Sequence, residues 1–517
     1  MKKSEQITEI NKQDRLVQVG IFWAIRANGN WNFCEIKKSY PLSSANSLGF
    51  IDYPYSHYDK WDDVRSGSEN SDCYFYPRGR VLYDTNSGKH RIFADGCLDE
   101  LNLQQVVELF EIDDYELCRD EHYVCHFCAE RKQYEKAKLE YNVLRGQDKI
   151  GENLIEISYG STKILVELGK SLDGGDEEFE GEILQKTYSA VIISHYHEDH
   201  AGLIKYKHDC PIYIGGGAAR ILGAMLEYRG EELPKNVRKY YNAKSFHVGG
   251  IKVTPCRCDH SAFDSYMLLF EAGGKSILYT GDFRFHGRQS MDKWLLTLPK
   301  YVDVLIHEGT NIGKNACTIS EAELENKAVD VMKSTNGPVF VLQSGSNIDR
   351  LVSIYRASRR SHRLFYMDNY VSLIASAVGG RVPRPDVFGD VVAFTHHPLV
   401  GKRKDMFLEI ENKRGLKGIA AGTKHFTMLV RPTMAEYVKK LLVTAEIKEA
   451  TLIYSMWQGY KETEYVAEFL TELQTLGVKV VDLHTSGHAS AEDIEMLKQK
   501  VKAKQTVCVH TENSKTK

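Results

Sequence analysis

The stretch Ala190-Val191-Ile192-Ile193-Ser194-His195-Tyr196-His197-Glu198-Asp199-His200 decides how this chain is read. Its first four residues are a short, uninterrupted apolar run, which predicts a strand buried on both faces. Three histidines and an aspartate then fall within six residues: His195, His197, Asp199 and His200. Imidazole is the commonest metal ligand, and carboxylate joins it at divalent ions. Crowding such groups at the end of a buried strand is costly unless a cation neutralises and bridges them. A surface histidine tract is the alternative, but the apolar strand in front anchors the motif in a core. The run reads as a metal site.

Working outward, residues 153–158 and 163–168 predict a strand pair, and 265–270, 276–280 and 302–307 continue the set of short buried strands. From 321 to 450 strands alternate with helical stretches, with 338–342 and 363–366 as strands, which predicts a doubly wound insertion. Residues 451–455, 478–482 and 506–510 then read as a return to the first layers. This gives four segments: an α+β module over 1–145, a first part over 146–320, the insertion over 321–450, and a last part over 451–517. In the module, residues 80–84 and 90–95 flank Asn86-Ser87-Gly88 as a hairpin, 101–110 has helical spacing, and 129–145 reads as a charged, solvated connecting helix. Cys118, Cys125 and Cys128, with His122 and His126, could close a small zinc site. A second Cys pair is missing, and ordinary thiols are the blander reading.

At 517 residues the chain is long enough for about three domains. Hydrophobic residues at 42% and charged ones at 26% fit a globular protein with real cores. Lys+Arg 67 against Asp+Glu 70 leaves a net charge of -3, which excludes attachment to nucleic acid by bulk positive charge. Binding to a polyanion has to use a local groove, and Arg356, Arg359, Arg360 and Arg363, or Lys402, Arg403 and Lys404, are the candidate phosphate contacts. No apolar run approaches the ~18 residues of a membrane span. The polar start shows no signal peptide, so the 11 cysteines read as reduced thiols of a cytoplasmic protein with no membrane partner.

His-x-His-x-Asp-His after a strand resembles the signature of the metallo-β-lactamase fold. Cys258-Asp259-His260-Ser261 resembles that family's lone histidine, and Tyr279-Thr280-Gly281-Asp282-Phe283-Arg284 its aspartate at a strand end. The opening motif over 160–169 matches too, with Glu167 where the family usually has Asp. Further on, His307-Glu308-Gly309-Thr310-Asn311 resembles motif A of the β-CASP nucleases. His484-Thr485-Ser486-Gly487-His488-Ala489-Ser490 resembles motif B, and Val507-Cys508-Val509-His510-Thr511-Glu512 motif C. From about Ile150 onward the chain is most similar to ribonuclease J-type enzymes.

The resemblance implies a metallo-β-lactamase αββα sandwich interrupted by a β-CASP α/β cap. It implies two zinc ions per chain, with manganese or magnesium as alternatives. One would be held by His195, His197 and His260, the other by Asp199, His200 and His510, with Asp282 between them. A hydroxide activated by the two ions would attack the phosphodiester. His488 would be the acid or an electrophilic contact to the phosphate, oriented by Glu308, with Asp199 also part of the catalytic set. Ser486, Gly487, His488, Ala489 and Ser490 would contact the phosphate backbone. Ser346 and Asn347 form a second candidate contact, against the plainer reading of a capped strand–helix turn. Trp457 or Tyr460 could stack a base or, equally, fill a domain junction.

The implied activity is metal-dependent hydrolysis of nucleic acid, single-stranded RNA first, since the histidine of motif C points to RNA-processing members. A DNA exonuclease of the same fold, a small-molecule metallo-hydrolase and a non-catalytic nucleic-acid-binding protein are the alternatives. A homodimer, and a protein partner for the N-terminal module, complete the expectations.

Overall fold

Alternation along the strands builds the layers. The structure is a computed structural model. It describes residues 16–27, 30–32, 74–84, 89–94, 107, 112–119, 137–172, 186–207, 209–289, 291–314, 316, 318–396, 407, 410, 412–422 and 424–512. The chain divides into two units, residues 1–138 and 139–517.

The first unit carries a sheet of order β2-β1-β3-β4-β5. Its strands are β1 (Leu16–Ala27), β2 (Asn30–Asn32), β3 (Tyr74–Asp84), β4 (Lys89–Ala94) and β5 (Tyr115–Arg119). The expected hairpin is present, with Asp84 facing Lys89 across the turn. The expected helix over 101–110 and the Cys/His cluster fall outside the described residues, apart from isolated backbone positions. The Lys402–Lys404 cluster lies outside them as well.

In the second unit, β6 (Glu140–Arg145), β7 (Leu154–Tyr159), β8 (Thr162–Val166), β9 (Ala190–Ile193), β10 (Ile212–Gly215) and β11 (Val237–Tyr240) form one sheet in reverse chain order. Ile155, Ile157, Ile164, Val166, Ala190 and Ile192 point to one face; Leu154, Leu165, Val191 and Ile193 point to the other. A second sheet faces the first. It contains β12 (Phe246–Val248), β13 (Ile251–Arg257), β14 (Tyr266–Ala272), β15 (Lys275–Tyr279) and β16 (Val304–Glu308). Its Leu268, Phe270, Ile277 and Ile306 close the core between the sheets. The helix Gly216–Tyr228 packs outside the first sheet, and Met291–Thr297 and Ala491–Val501 outside the second. This is the αββα sandwich.

The insertion is a parallel sheet of order β20-β19-β18-β21-β17-β22-β23. It comprises β17 (Val339–Leu342), β18 (Leu364–Asp368), β19 (Val391–Phe394), β20 (Lys413–Arg414), β21 (Phe426–Val430), β22 (Thr451–Tyr454) and β23 (Lys479–Asp482). The chain then rejoins the sandwich as β24 (Gln505–Val509), parallel to β16.

Two expectations are corrected here. Residues 451–455 and 478–482 do not return to the sandwich. β22 pairs with β17, and β23 with β22, because strand–helix alternation continues through the helices Ala435–Thr444 and Glu464–Thr475. The cap sheet therefore runs past 450 to Asp482. The end of the supposed connecting helix is instead β6, antiparallel to β7, with Tyr141 and Val143 packed on the core between the sheets. Their period of two decides for a strand over the charge pattern. The sandwich thus begins at β6, upstream of the 145/146 division.

Candidate metal centre

The strand ends of the sandwich converge at one edge. β9 delivers His195, buried like its neighbour Tyr196, and the four-residue helix Glu198–Ala201 carries Asp199 and His200. His260 follows β13, Asp282 follows β15, Glu308 ends β16, and His510 follows β24. The loop before the helix Ala491–Val501 brings His488. Donor atoms of His195, His197, His260 and Asp282 all lie within 4.8 Å of one another. The same holds for Asp199, His200, Asp282 and His510, and for Asp282, Glu308, His488 and His510. All seven expected metal ligands are therefore brought together, with His488 and Glu308 beside them.

Asp282 is central. It is 1% exposed, and neither carboxylate oxygen has a hydrogen-bond partner. Nε2 of His200 is 3.3 Å from it, and Nε2 of His195 and His260 are each 3.7 Å away. His195 Nε2 is likewise buried without a partner. Buried polar atoms are nearly always satisfied, so orphaned donors converging on one point are what a cation would satisfy.

The outer atoms orient these ligands. His260 donates from Nδ1 to the carbonyl of Gly487 (2.6 Å), leaving Nε2 to face inward. His200 Nδ1 lies 3.2 Å from Glu167 Oε1, whose other oxygen accepts from the Ser194 amide (3.1 Å). Glu167 thus fills the place where aspartate is usual and still reaches the ligand, from a backbone at φ 67°. Such partners fix the tautomer and tilt of a ligating ring. Thr310 Oγ1 is 2.8 Å from His510 Nδ1, while Asn153 Nδ2 stands 3.1 Å from the inward-facing Nε2 of His200. Neither residue was singled out from the sequence. Thr310 stands in motif A, but nothing in a lone threonine signals that role.

Electrostatics divide the histidines. Burial holds His195, His197 and His260 below the ordinary imidazole value, His197 at about 4, so they are neutral and able to ligate at pH 7. Burial also opposes charge on His200 and His488, but carboxylates outweigh it. Asp282, Asp199 and Glu167 raise His200 well above the usual range, and Glu308 and Asp282 raise His488 to about 9. Glu308 Oε2 is 3.0 Å from His488 Nδ1. Asp282 is held well below the ordinary carboxylate value: burial opposes this, but His200, His510 and His488 prevail.

The candidate substrate residues are placed as follows. Ser486 Oγ accepts from Asn311 (3.0 Å) and from the His488 amide (3.1 Å), and the Ala489 amide reaches Glu308 (3.4 Å). Ser490 caps the helix Ala491–Val501 in a capping box with Asp493. These three groups build the loop that presents Gly487 and His488. Asn347 caps the helix Ile348–Arg360, and Tyr196 Oη donates to the carbonyl of Ser346 (2.7 Å). The capped turn and the metal loop are thus neighbours. Phe263 N also donates to Tyr196 Oη (2.9 Å), joining the His260 loop to the same hydroxyl.

Two buried arginines tie the cap to the sandwich. Arg284 reaches Asp349 (2.7 Å), the carbonyl of Ser486 (3.0 Å) and Asp259 (3.3 Å). Arg350 reaches Glu321 and the carbonyl of Thr485, each at 3.1 Å. Buried charges persist when paired and hydrogen-bonded in this way. Arg363, expected as a phosphate contact, is buried and donates to the carbonyls of Met332, Gly337 and Phe426. Arg356, Arg359 and Arg360 lie on about the last turn and a half of the helix that Asn347 caps. At 1.5 Å per residue, Arg359 and Arg360 are about 18–20 Å along the helix from its Asn347 cap. Arg360 bonds Glu325 and Asn326. The cluster sits at the end of its helix away from the cap that Asn347 forms.

Comparison with known proteins agrees with this geometry. Residues 179–342 match the beta-lactamase superfamily domain, and residues 476–517 the Zn-dependent metallo-hydrolase RNA specificity domain. Ribonuclease J of Mycoplasma genitalium is 22% identical over 412 residues, covering 71% of this chain and 67% of that protein. Ribonuclease J of Pyrococcus abyssi is 23% identical over 416 residues, covering 71% and 89%. Transcription termination factor FttA of a Lokiarchaeum species is 23% identical over 445 residues, covering 74% and 68%. A crystal structure of a protein of unknown function from Enterococcus faecalis V583 superposes with a TM-score of 0.59 at 21% identity, covering 72% of this chain and 94% of that one. Among the described residues no helix is long and apolar enough to cross a membrane.

Proposed function

We propose that this chain, a ribonuclease J-like protein of the metallo-β-lactamase fold, is a metal-dependent hydrolase that cleaves RNA. The observation that carries the reading is the unpartnered Asp282 carboxylate ringed by histidines, with the Glu308–His488 pair against it. The imidazole-rich donor set favours zinc, two ions per chain, with manganese or magnesium as alternatives. Two such ions supply charge neutralisation at the phosphate and a hydroxide at neutral pH.

The protein's own groups do the rest. His195, His197 and His260 on one side, and Asp199, His200 and His510 on the other, would hold the ions, with Asp282 common to both groups. Glu308 keeps His488 protonated at pH 7 and turned toward the phosphate, so its proton is available to the leaving oxygen. Gly487 presents the loop whose carbonyl steadies His260. Ser346 and Asn347, at the amino end of the helix Ile348–Arg360, offer the phosphate backbone a place beside the metal loop, where the helix dipole favours an anion.

Single-stranded RNA is the preferred substrate on this reading, in a cytoplasmic setting. The test is incubation of metal-loaded protein with end-labelled single-stranded RNA and DNA bearing 5′-phosphate, 5′-triphosphate or 5′-hydroxyl. RNA cut at least as well as DNA supports the proposal; hydrolysis of DNA alone, or of neither, overturns it.

We assign residues 139–320 and 483–517 to the sandwich, 321–482 to the cap, and 1–138 to a separate specificity or partner-binding element. Deleting 1–138 is expected to leave a folded protein with undiminished metal content, read by elemental analysis. Deletion through residue 144 removes most of β6 and is expected to lower the melting temperature.

The position of the basic cluster gives another outcome. Arg359→Ala with Arg360→Ala is expected to leave both RNA affinity and its salt dependence unchanged. A cluster that met two phosphates would flatten the slope of log K against log salt by roughly one to two units.

A further inference from the structure

The turn after β22 exposes two aromatic rings, Trp457 at 58% and Tyr460 at 43%. Rings filling a domain junction would be buried. Their position follows from the register of the cap. In a parallel, doubly wound sheet, ligands meet the carboxyl ends of the strands. Here β17 and β22 end side by side, Leu342 opposite Tyr454, and the Ser455 amide donates to the Leu342 carbonyl (2.8 Å). The chain leaving β17 reaches Ser346, which Tyr196 fastens to the loop between His195 and His197. The turn carrying Trp457 therefore adjoins a turn fixed to the metal loop.

The rings are held in place before anything binds. The indole lies against the backbone at Gly459, where any side chain would run into it. Tyr454 Oη donates to the Trp457 carbonyl (2.9 Å), as does the Tyr460 amide (3.2 Å). The two rings meet edge to face, 5.5 Å apart at 88°.

We propose that Trp457, with Tyr460 at its edge, is a stacking platform for one unpaired nucleobase of RNA whose adjoining phosphate lies at the metal centre. This rests on the ribonuclease reading. Stacking accepts any base but needs its face free, so the platform selects single-stranded RNA over a duplex without reading sequence.

The test uses the full-length, metal-loaded protein and single-stranded oligoribonucleotides in which one abasic nucleotide is stepped along the chain. With the unmodified protein, one position is expected to raise KM by about five- to 150-fold, the range of one base–aromatic stack. Trp457→Ala raises KM on intact RNA by a similar factor, and the abasic nucleotide at that position then adds nothing further. Trp457→Phe, which keeps a π face, restores most of the affinity, and Tyr460→Ala gives a smaller increase of the same pattern. Metal content and melting temperature stay unchanged in all three variants, as expected for exposed side chains. Equal KM for Trp457→Ala and the unmodified protein on intact RNA, or the same abasic penalty in both, overturns the platform alone. No cleavage of RNA by the unmodified protein overturns the ribonuclease reading, and the platform with it.

Discussion

Asp282→Asn is expected to empty the metal centre and to lower RNA hydrolysis by about a thousandfold or more. The substitution is nearly isosteric, so the buried site keeps its shape and the change is one of charge. Six imidazoles and the carboxylates of Asp199 and Glu308 surround this position, and Asp282 is the one group common to all three clusters of donors. A carboxamide would bring no negative charge to the ions these residues would hold. It also removes the leading counter-charge that keeps His200 protonated in the metal-free protein. Metal ions supply several kcal/mol of charge stabilisation in such a site, and about 4 kcal/mol corresponds to a thousandfold in rate. Elemental analysis alongside turnover of end-labelled RNA checks both halves. Full metal occupancy with normal turnover would show that Asp282 is not the shared ligand.

His488→Ala is expected to behave differently: turnover falls by roughly a hundred- to ten-thousandfold while the metal stays bound. His510→Ala, by contrast, loses metal as well, because His510 Nε2 stands 3.1 Å from Asp199 within the second donor group. The acid role also fixes a sign for pH. The Glu308 carboxylate beside it raises His488 and favours its protonated form, so kcat declines as pH rises through the pKa of this ring. Glu308→Gln removes the carboxylate that does most to raise it, and the alkaline limb then moves to lower pH. A His488→Ala protein that loses as much metal as His510→Ala would make His488 a ligand, in keeping with the third donor group of Asp282, Glu308, His488 and His510.

The parts of this site that were legible in the sequence are those whose donors are close together or follow a known order of motifs. His195, His197, Asp199 and His200 declare themselves within six residues, and His260, Asp282, Glu308, His488 and His510 through ordered resemblance. The limits of the cap were not legible. Strands such as 451–454 and 304–308 are equally apolar, and no local pattern says which sheet a buried strand joins. Arg363 misled for a related reason: residues adjacent in sequence reveal a patch of charge, but not that one of them is buried on the carbonyls of Met332 and Gly337. Arg284 and Arg350 left no signal, since a lone arginine reads as surface until its partners are seen to come from five separate segments. Tyr196 looked like a spacer between ligands, yet its hydroxyl joins three loops.

β24 has a consequence for biosynthesis. It supplies His510 and also occupies the flank of β16, so the ribosome must have made almost the whole of the second unit before either job can be done. A nascent polypeptide that has emerged only as far as the cap holds six of the seven ligand positions. It also bears an unpaired strand edge, Val304–Glu308, at the end of an apolar sheet. Such an intermediate is an invitation to wrong pairing and needs either speed or a chaperone to pass through safely. Vectorial synthesis therefore keeps the metal centre incomplete until β24 has emerged and paired with β16.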